Sequence, residues 1–409
     1  MMHVDSFPAT HFWLPLKSHF YCPGKKVFFR ATATDPAMWS HGYGQLWNIL
    51  ASFGIQTDDG QKKANSKTAF SSCLKSPVFL LYVLSAFYSV PMLITAIASE
   101  SLELRTLFPI LATCSLSCVL WYVLFQRRRT LKEVAKKLGA HSRNTHLAPF
   151  NRSRLLNSIT AAFLSVTLGY LVTVVYYLQT SRESVDNVWN FGYEMSYNFW
   201  GLCVRFLQVS CYNLQVLVFP GLASFHMSAM YLSCADSLLS YRRKLEVICK
   251  KEISLPCVME YSKLVDLVRE FGDVLSAPAS VVLVLHLLLM FNSLASFFLL
   301  SEAALMPTFM LENLTCLFCS AWCLLLIAAS ASEVHVRAGA LSTVLGELHE
   351  REVVLSRRPS RRVALVKAMA DKEAPLMSAC DVVYFRRRYI LSVLGGFFTY
   401  ALLFINIKS

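Results

Sequence analysis

Arg205, Gln208 and Tyr212 stand at i, i+3 and i+7, which puts a guanidinium, a carboxamide and a phenol on one face of a helix. On an otherwise apolar helix such groups hold a small, partly polar ligand by hydrogen bonds. Tyr176, Asn292 and Phe297 are of the same kind and close other apolar runs. A second face, Thr399, Leu403, Asn406 and Ile407, follows i, i+4, i+7 and i+8 near the C-terminal end. None of these sets makes or breaks covalent bonds. The chain has no GxSxG, no HExxH and no Gly-rich phosphate loop, so no catalytic residue and no cofactor are expected. Cys316 and Cys319 lack histidine partners at zinc spacing, and no metal is expected. Most of the 13 cysteines lie in apolar runs, where they read as small packing residues.

The elements that carry these residues are seven runs without Asp, Glu, Lys or Arg: 78–98, 107–126, 155–181, 206–235, 274–301, 313–332 and 389–407. Each is long enough for a helix to cross a hydrocarbon core of about 30 Å, which takes roughly 20 residues. Only helices and closed barrels can span lipid, because backbone groups find no water there. The expected fold is therefore an all-α membrane protein of seven transmembrane helices. Residues 1–75 form an N-terminal segment and 76–409 the membrane domain. Charged residues make up 16% of the chain, against about 25% in soluble proteins.

The basic residues set the orientation. The second, fourth and sixth loops hold 9, 7 and 11 Lys and Arg, while the first, third and fifth hold almost none. Such loops stay cytoplasmic, so the N-terminus is expected inside and the C-terminus outside. The same argument accounts for the net charge of +13 and leaves nucleic acid without a role. No carboxylate falls within the seven runs, which removes a proton relay of the transporter type. Two apolar stripes extend beyond the spans: Tyr261, Leu264, Val265, Val268 and Phe271 before the fifth, and Val334, Ala338, Leu341, Leu345 and Leu348 after the sixth. They predict cytosolic helix extensions that form an anchor, covered by neighbouring segments or subunits. Ala374–Arg388 is expected as a short helix or loop.

The last run ends Thr399-Tyr400, five apolar residues, then Asn406-Ile407. This resembles the last helix of arthropod gustatory receptors, which carries Thr-Tyr, five mostly apolar residues and Gln-Phe. Asn406 keeps the carboxamide, and Ile407 loses the aromatic ring. Gln45–Ile55 also looks like that family's leader. The resemblance implies a chemosensory receptor of the plasma membrane acting as a ligand-gated, nonselective cation channel. It implies a homotetramer, or a heteromer with related receptors, with permeant cations passing a pore lined by the last helix. Thr399, Leu403, Asn406 and Ile407 would face that pore. A pocket opening outward would hold the small-molecule ligand at Tyr176, Arg205, Gln208, Tyr212, Asn292 and Phe297.

Several residues carry two readings. Arg205 either lines an outer vestibule or snorkels to headgroups. Gly395-Gly396 serves close packing or a hinge. Asn406 forms a polar ring or caps a helix end. His286 is packed or bonded to a serine, or senses pH. Two other functions compete: a seven-helix receptor signalling through G proteins, and a transporter. The inverted orientation and the absence of Asn-Pro-x-x-Tyr in the last run stand against the first. The lack of broken-helix pairs stands against the second.

Overall fold

The computed structural model describes residues 49–53, 55, 77–98, 104–143, 152–180, 198–248, 255–299, 307–355, 361–372, 377–380, 383–385, 388, 391–393, 395–397, 399, 400 and 403. They are almost all helical. The order is α1 (Pro77–Ala98), α2 (Leu104–Arg143), α3 (Arg152–Thr180), α4 (Phe199–Asn213), a π-helical segment (Leu214–Val218), α5 (Phe219–Ile248), α6 (Leu255–Leu299), α7 (Pro307–Leu355), α8 (Arg361–Ala370), then β1 (Ser378–Ala379) and β2 (Val383–Tyr384). Among the described residues, four helices are long and apolar enough to cross a membrane: 155–177, 199–247, 255–297 and 310–354. A shorter apolar helix covers 78–88. Described residues of the last run, including Leu391, Gly395, Thr399 and Leu403, are helical.

The long helices overshoot any bilayer. At 1.5 Å per residue, the 49 residues of α7 reach about 73 Å and the 45 of α6 about 67 Å. Their apolar stripes continue past the charge-free runs, as the sequence requires. Val334, Ala338, Leu341 and Leu345 are buried, and so are Tyr261, Leu264, Val265, Val268 and Phe271. Of the two covers expected, neighbouring segments or subunits, the structure shows the first. These stripes are covered within the chain itself, in one core shared by α2, α5, α6 and α7, and need no second subunit. Facing outward instead are Leu84, Phe87, Val166, Leu168, Val172 and Trp200, a coat that suits lipid.

The basic loops converge on one end of the bundle. Lys137 of α2 pairs with Glu270 of α6 at 3.0 Å, Lys244 of α5 with Glu260 at 2.6 Å, and Lys372 with Asp266 at 2.8 Å. Of residues 374–388, expected as a short helix or loop, those described at 377–380 and 383–385 are not helical. Ser378–Ala379 and Val383–Tyr384 pair antiparallel in a small hairpin, with Cys380 at φ 49° in its turn. The Cys380 N–H donates to Ser276 Oγ at 2.7 Å, and Phe385 is buried with its ring centroid 6.1 Å from that of Tyr231.

Two prolines explain two local features. Pro278 lies inside α6. Having no N–H, it leaves the Val274 carbonyl without its helical partner, and its ring crowds that turn. Arg127 of α2 fills the gap: its Nη1 donates to the carbonyls of Asp273 and Val274, both at 2.8 Å. Pro220 stands just after the π segment. In π geometry the Gln215 carbonyl, five residues earlier, would look to the missing Pro220 N–H. Ser117 Oγ donates to it at 2.7 Å instead. The extra residue of the π turn relieves the ring clash, and Phe219 N–H reaches Leu214 in the five-residue pattern.

Candidate functional site

Helix α4 begins at Asn198, whose side-chain oxygen accepts the Gly201 N–H at 2.9 Å. From that cap the helix turns Gly201, Arg205, Val209 and Tyr212 inward and leaves Cys203, Val204, Phe206 and Leu207 exposed. Arg205 is 2% exposed, so the guanidinium lies in the bundle and does not snorkel out. Gln208 is half-buried, and its Oε1 is buried without a hydrogen-bond partner. Tyr212 packs with Cys114 of α2, Val216, and Leu285 and Leu289 of α6.

Tyr212 also meets a residue that sequence reasoning left out. Its hydroxyl hydrogen-bonds the carboxyl group of Glu312, in the second turn of α7. Scanning for charge-free runs began the sixth span at Asn313, one residue too late to include it. The helix in fact starts at Pro307, so a carboxylate does lie in a membrane-crossing helix. The usable signal was Glu312 and Cys316, four apart on one face, both turned to the bundle. Tyr170 of α3 lies within electrostatic reach of the same carboxylate.

The remaining candidates divide. Asn292 lies seven residues after Leu285 and three after Leu289, which puts it on their face of α6, about one turn past Tyr212's contacts. It is half-buried, as is Phe297. Tyr176 is 64% exposed at the end of α3, its ring 6.2 Å from that of Tyr177. It is not gathered with Arg205 and Tyr212 in this chain. Thr399 and Leu403 are exposed on one face of the last segment, and the Thr399 hydroxyl donates to the Gly395 carbonyl at 2.8 Å. Tyr400 lies with its ring 4.8 Å from Phe291 of α6. Asn406 and Ile407 lie outside the described residues.

Below the site a polar layer surrounds the π segment. Ser85 of α1 donates to the Gln215 carboxamide oxygen at 3.0 Å, and Tyr82 and Ser117 hydroxyls are 3.1 Å apart. Further along, His286 Nε2 and Ser224 Oγ are 2.8 Å apart, the serine-bonded arrangement of the two readings above. Asn313 opens Asn313-Leu314-Thr315, a glycan-acceptor sequence, but it is 5% exposed within α7 and so a poor acceptor.

No protein-family model matches the chain, and no curated protein matches it. Solved structures do. The chain is similar to the insect olfactory receptor OR5 from Machilis hrabei, with TM-score 0.62 and 14% identity over 89% of this chain and 99% of that one. The structure of the same receptor in complex with eugenol matches with TM-score 0.60 and 14% identity, over 90% and 99%. The fold is that of an insect olfactory receptor. The likeness runs nearly end to end.

Proposed function

We propose that this chain is a chemosensory receptor of the gustatory kind, acting in the plasma membrane as a ligand-gated, nonselective cation channel. The observation that carries the reading is the insect olfactory receptor fold, matched over 89% of the chain, together with the gustatory-type ending Thr399-Tyr400. On this reading seven helices cross the membrane, with the N-terminus in the cytoplasm and the C-terminus outside. The gathering of the basic second, fourth and sixth loops at one end of the bundle supports that orientation.

The ligand is a small, partly polar molecule. Arg205, Gln208 and Tyr212 present their polar groups from α4, and Asn292 and Phe297 border them from α6. Tyr176 stands at the entrance. Glu312 belongs to the same site through its bond to Tyr212. The unpartnered Gln208 oxygen is an acceptor that a ligand hydroxyl or amine would satisfy.

Subunits assemble around the last helix. Thr399 and Leu403 are exposed on one face of it, and among the described residues no other part of the chain lies within 4 Å of where a Cβ on Gly395 or Gly396 would sit, their own helix's nearby backbone aside. Such a face suits close approach of another copy. A homotetramer, or a heteromer with related receptors, would ring Asn406 around permeant cations with apolar Leu403 and Ile407 as the gate. An epitope tag at the C-terminus tests the orientation: antibody staining of intact cells is expected. Staining only after permeabilisation contradicts the reading and reopens G-protein coupling.

A further inference from the structure

Two acceptors in the bundle lack the donors that would satisfy them. Glu312 is half-buried in the second turn of α7, and Gln208 Oε1 is buried on α4 without a hydrogen-bond partner. Among the described residues, the Glu312 carboxyl group takes one hydrogen bond, from the neutral Tyr212 phenol, and no cation stands beside it. The two acceptors belong to one place. Gln208 and Tyr212 are four apart on one face of α4. A helical side chain leans over the turn before its own Cα, so the Tyr212 hydroxyl, and the carboxyl group it serves, lie over the turn of Gln208. The next residue, Val209, shares a buried cluster with Tyr170 of α3, and Leu311, which precedes Glu312, packs against that cluster.

A carboxyl group taken partly out of water among apolar side chains loses hydration that one phenol does not replace. The Gln208 oxygen is short of a donor for the same reason. One group with several N–H donors and a positive charge answers both. Arg205 does not supply it. It stands seven residues before Tyr212, about 10 Å along the helix axis, its side chain leans further away, and it has partners of its own. A metal does not supply it either: a divalent ion needs several oxygen ligands, and among the described residues no three His, Cys, Asp or Glu come together.

We propose that the ligand of this site is an organic monocation, a protonated amine carrying one apolar or aromatic group. Its ammonium bonds Glu312 and Gln208 Oε1 together, and its charge holds the carboxyl group ionised. The Tyr170 and Tyr212 rings border the same place, and aromatic faces attract cations. The charge-free run 313–332 begins just after Glu312, which puts the carboxyl group at the edge of the hydrocarbon core. On the orientation above that edge is the outer one, so the cation arrives without crossing lipid. The inference rests on the pocket proposed above and adds the charge of its ligand. It is independent of whether the protein conducts.

The test measures binding to the full-length purified protein in phosphatidylcholine nanodiscs at about pH 8, where a primary amine is still protonated. Two probes share one carbon skeleton: 2-phenylethylamine, a cation, and 2-phenylethanol, which is neutral. The parent is expected to bind the amine about tenfold more tightly than the alcohol, the margin of a hydrogen bond to a charged group. Glu312→Gln keeps the size and an acceptor for Tyr212 but removes the charge. It is expected to lose about tenfold for the amine and to stay within about twofold for the alcohol. Glu312→Asp keeps the charge and should keep the preference. Gln208→Ala should weaken both probes. Glu347→Gln, exposed towards the other end of α7, is the control and should bind both as the parent does. Equal affinity of the parent for the two probes, an unchanged preference in Glu312→Gln, or an equal loss in Glu347→Gln overturns the inference, and the pocket stands if Gln208→Ala still weakens both. If Glu312→Gln does not purify, the parent's ratio and Glu312→Asp decide. Binding of neither probe by the parent overturns the inference and the pocket together.

Discussion

At the scale of single residues, Tyr212 is where packing and polarity meet. Its ring fills the contact between α4 and α6, and its hydroxyl serves Glu312. Tyr212→Phe keeps the packing and removes the donor, so it isolates the hydrogen bond. A side-chain hydrogen bond of this kind contributes about 0.5–1.5 kcal/mol. If the ligand leans on this pair, Tyr212→Phe should raise the half-maximal ligand concentration by up to roughly tenfold at unchanged surface level. Gln208→Ala and Asn292→Ala should do the same to a smaller degree. An unchanged dose response in all three variants would remove the pocket from this place. That Arg205, Gln208 and Tyr212 share one helix face was legible from their spacing alone. Glu312 was not, because a criterion that forbids charge trims each span at its first carboxylate, and only the helix start at Pro307 reveals that the residue is inside.

At the scale of elements, the prolines give the sharpest expectation. Arg127 supplies the donor that Pro278 removes from the Val274 carbonyl of α6. Arg127→Leu should destabilise the protein by about 1–3 kcal/mol, chiefly through the Val274 carbonyl left without a donor. In a Pro278→Ala background the helix can bond the Val274 carbonyl itself, and the same substitution should cost at least about 1 kcal/mol less. Thermal unfolding of the four proteins measures this coupling, and equal losses in both backgrounds would break the link. The extensions carry a second expectation. Leu341 is 2% exposed in a core of its own chain, so Leu341→Ala should lower stability by about 3 kcal/mol without first altering subunit number. Size analysis showing intact monomers of unchanged stability would contradict this. Periodicity displayed these stripes plainly, yet it names only the buried face and never the partner. The hairpin at 378–384 and the π turn left no such trace, since each depends on tertiary neighbours: Ser276 for one, Ser117 and Ser85 for the other.

At the scale of the whole molecule, the charge-free runs made the nearly all-helical build with several membrane-crossing helices legible, because lipid allows so few solutions. The proposed association of subunits around the last helix is not legible in the same way, since it depends on copies of the chain and on Asn406 and Ile407. The central claim is a pore lined by that helix and closed by apolar rings. Its most direct measurement needs no ligand: whole-cell current from cells expressing Leu403→Ser or Ile407→Ser alone, with surface level checked by a C-terminal tag. Replacing an apolar ring by hydroxyls should wet the constriction and give a cation current without ligand that the parent lacks. If both variants reach the surface and conduct no more than the parent, the last helix does not line a pore and the channel account fails.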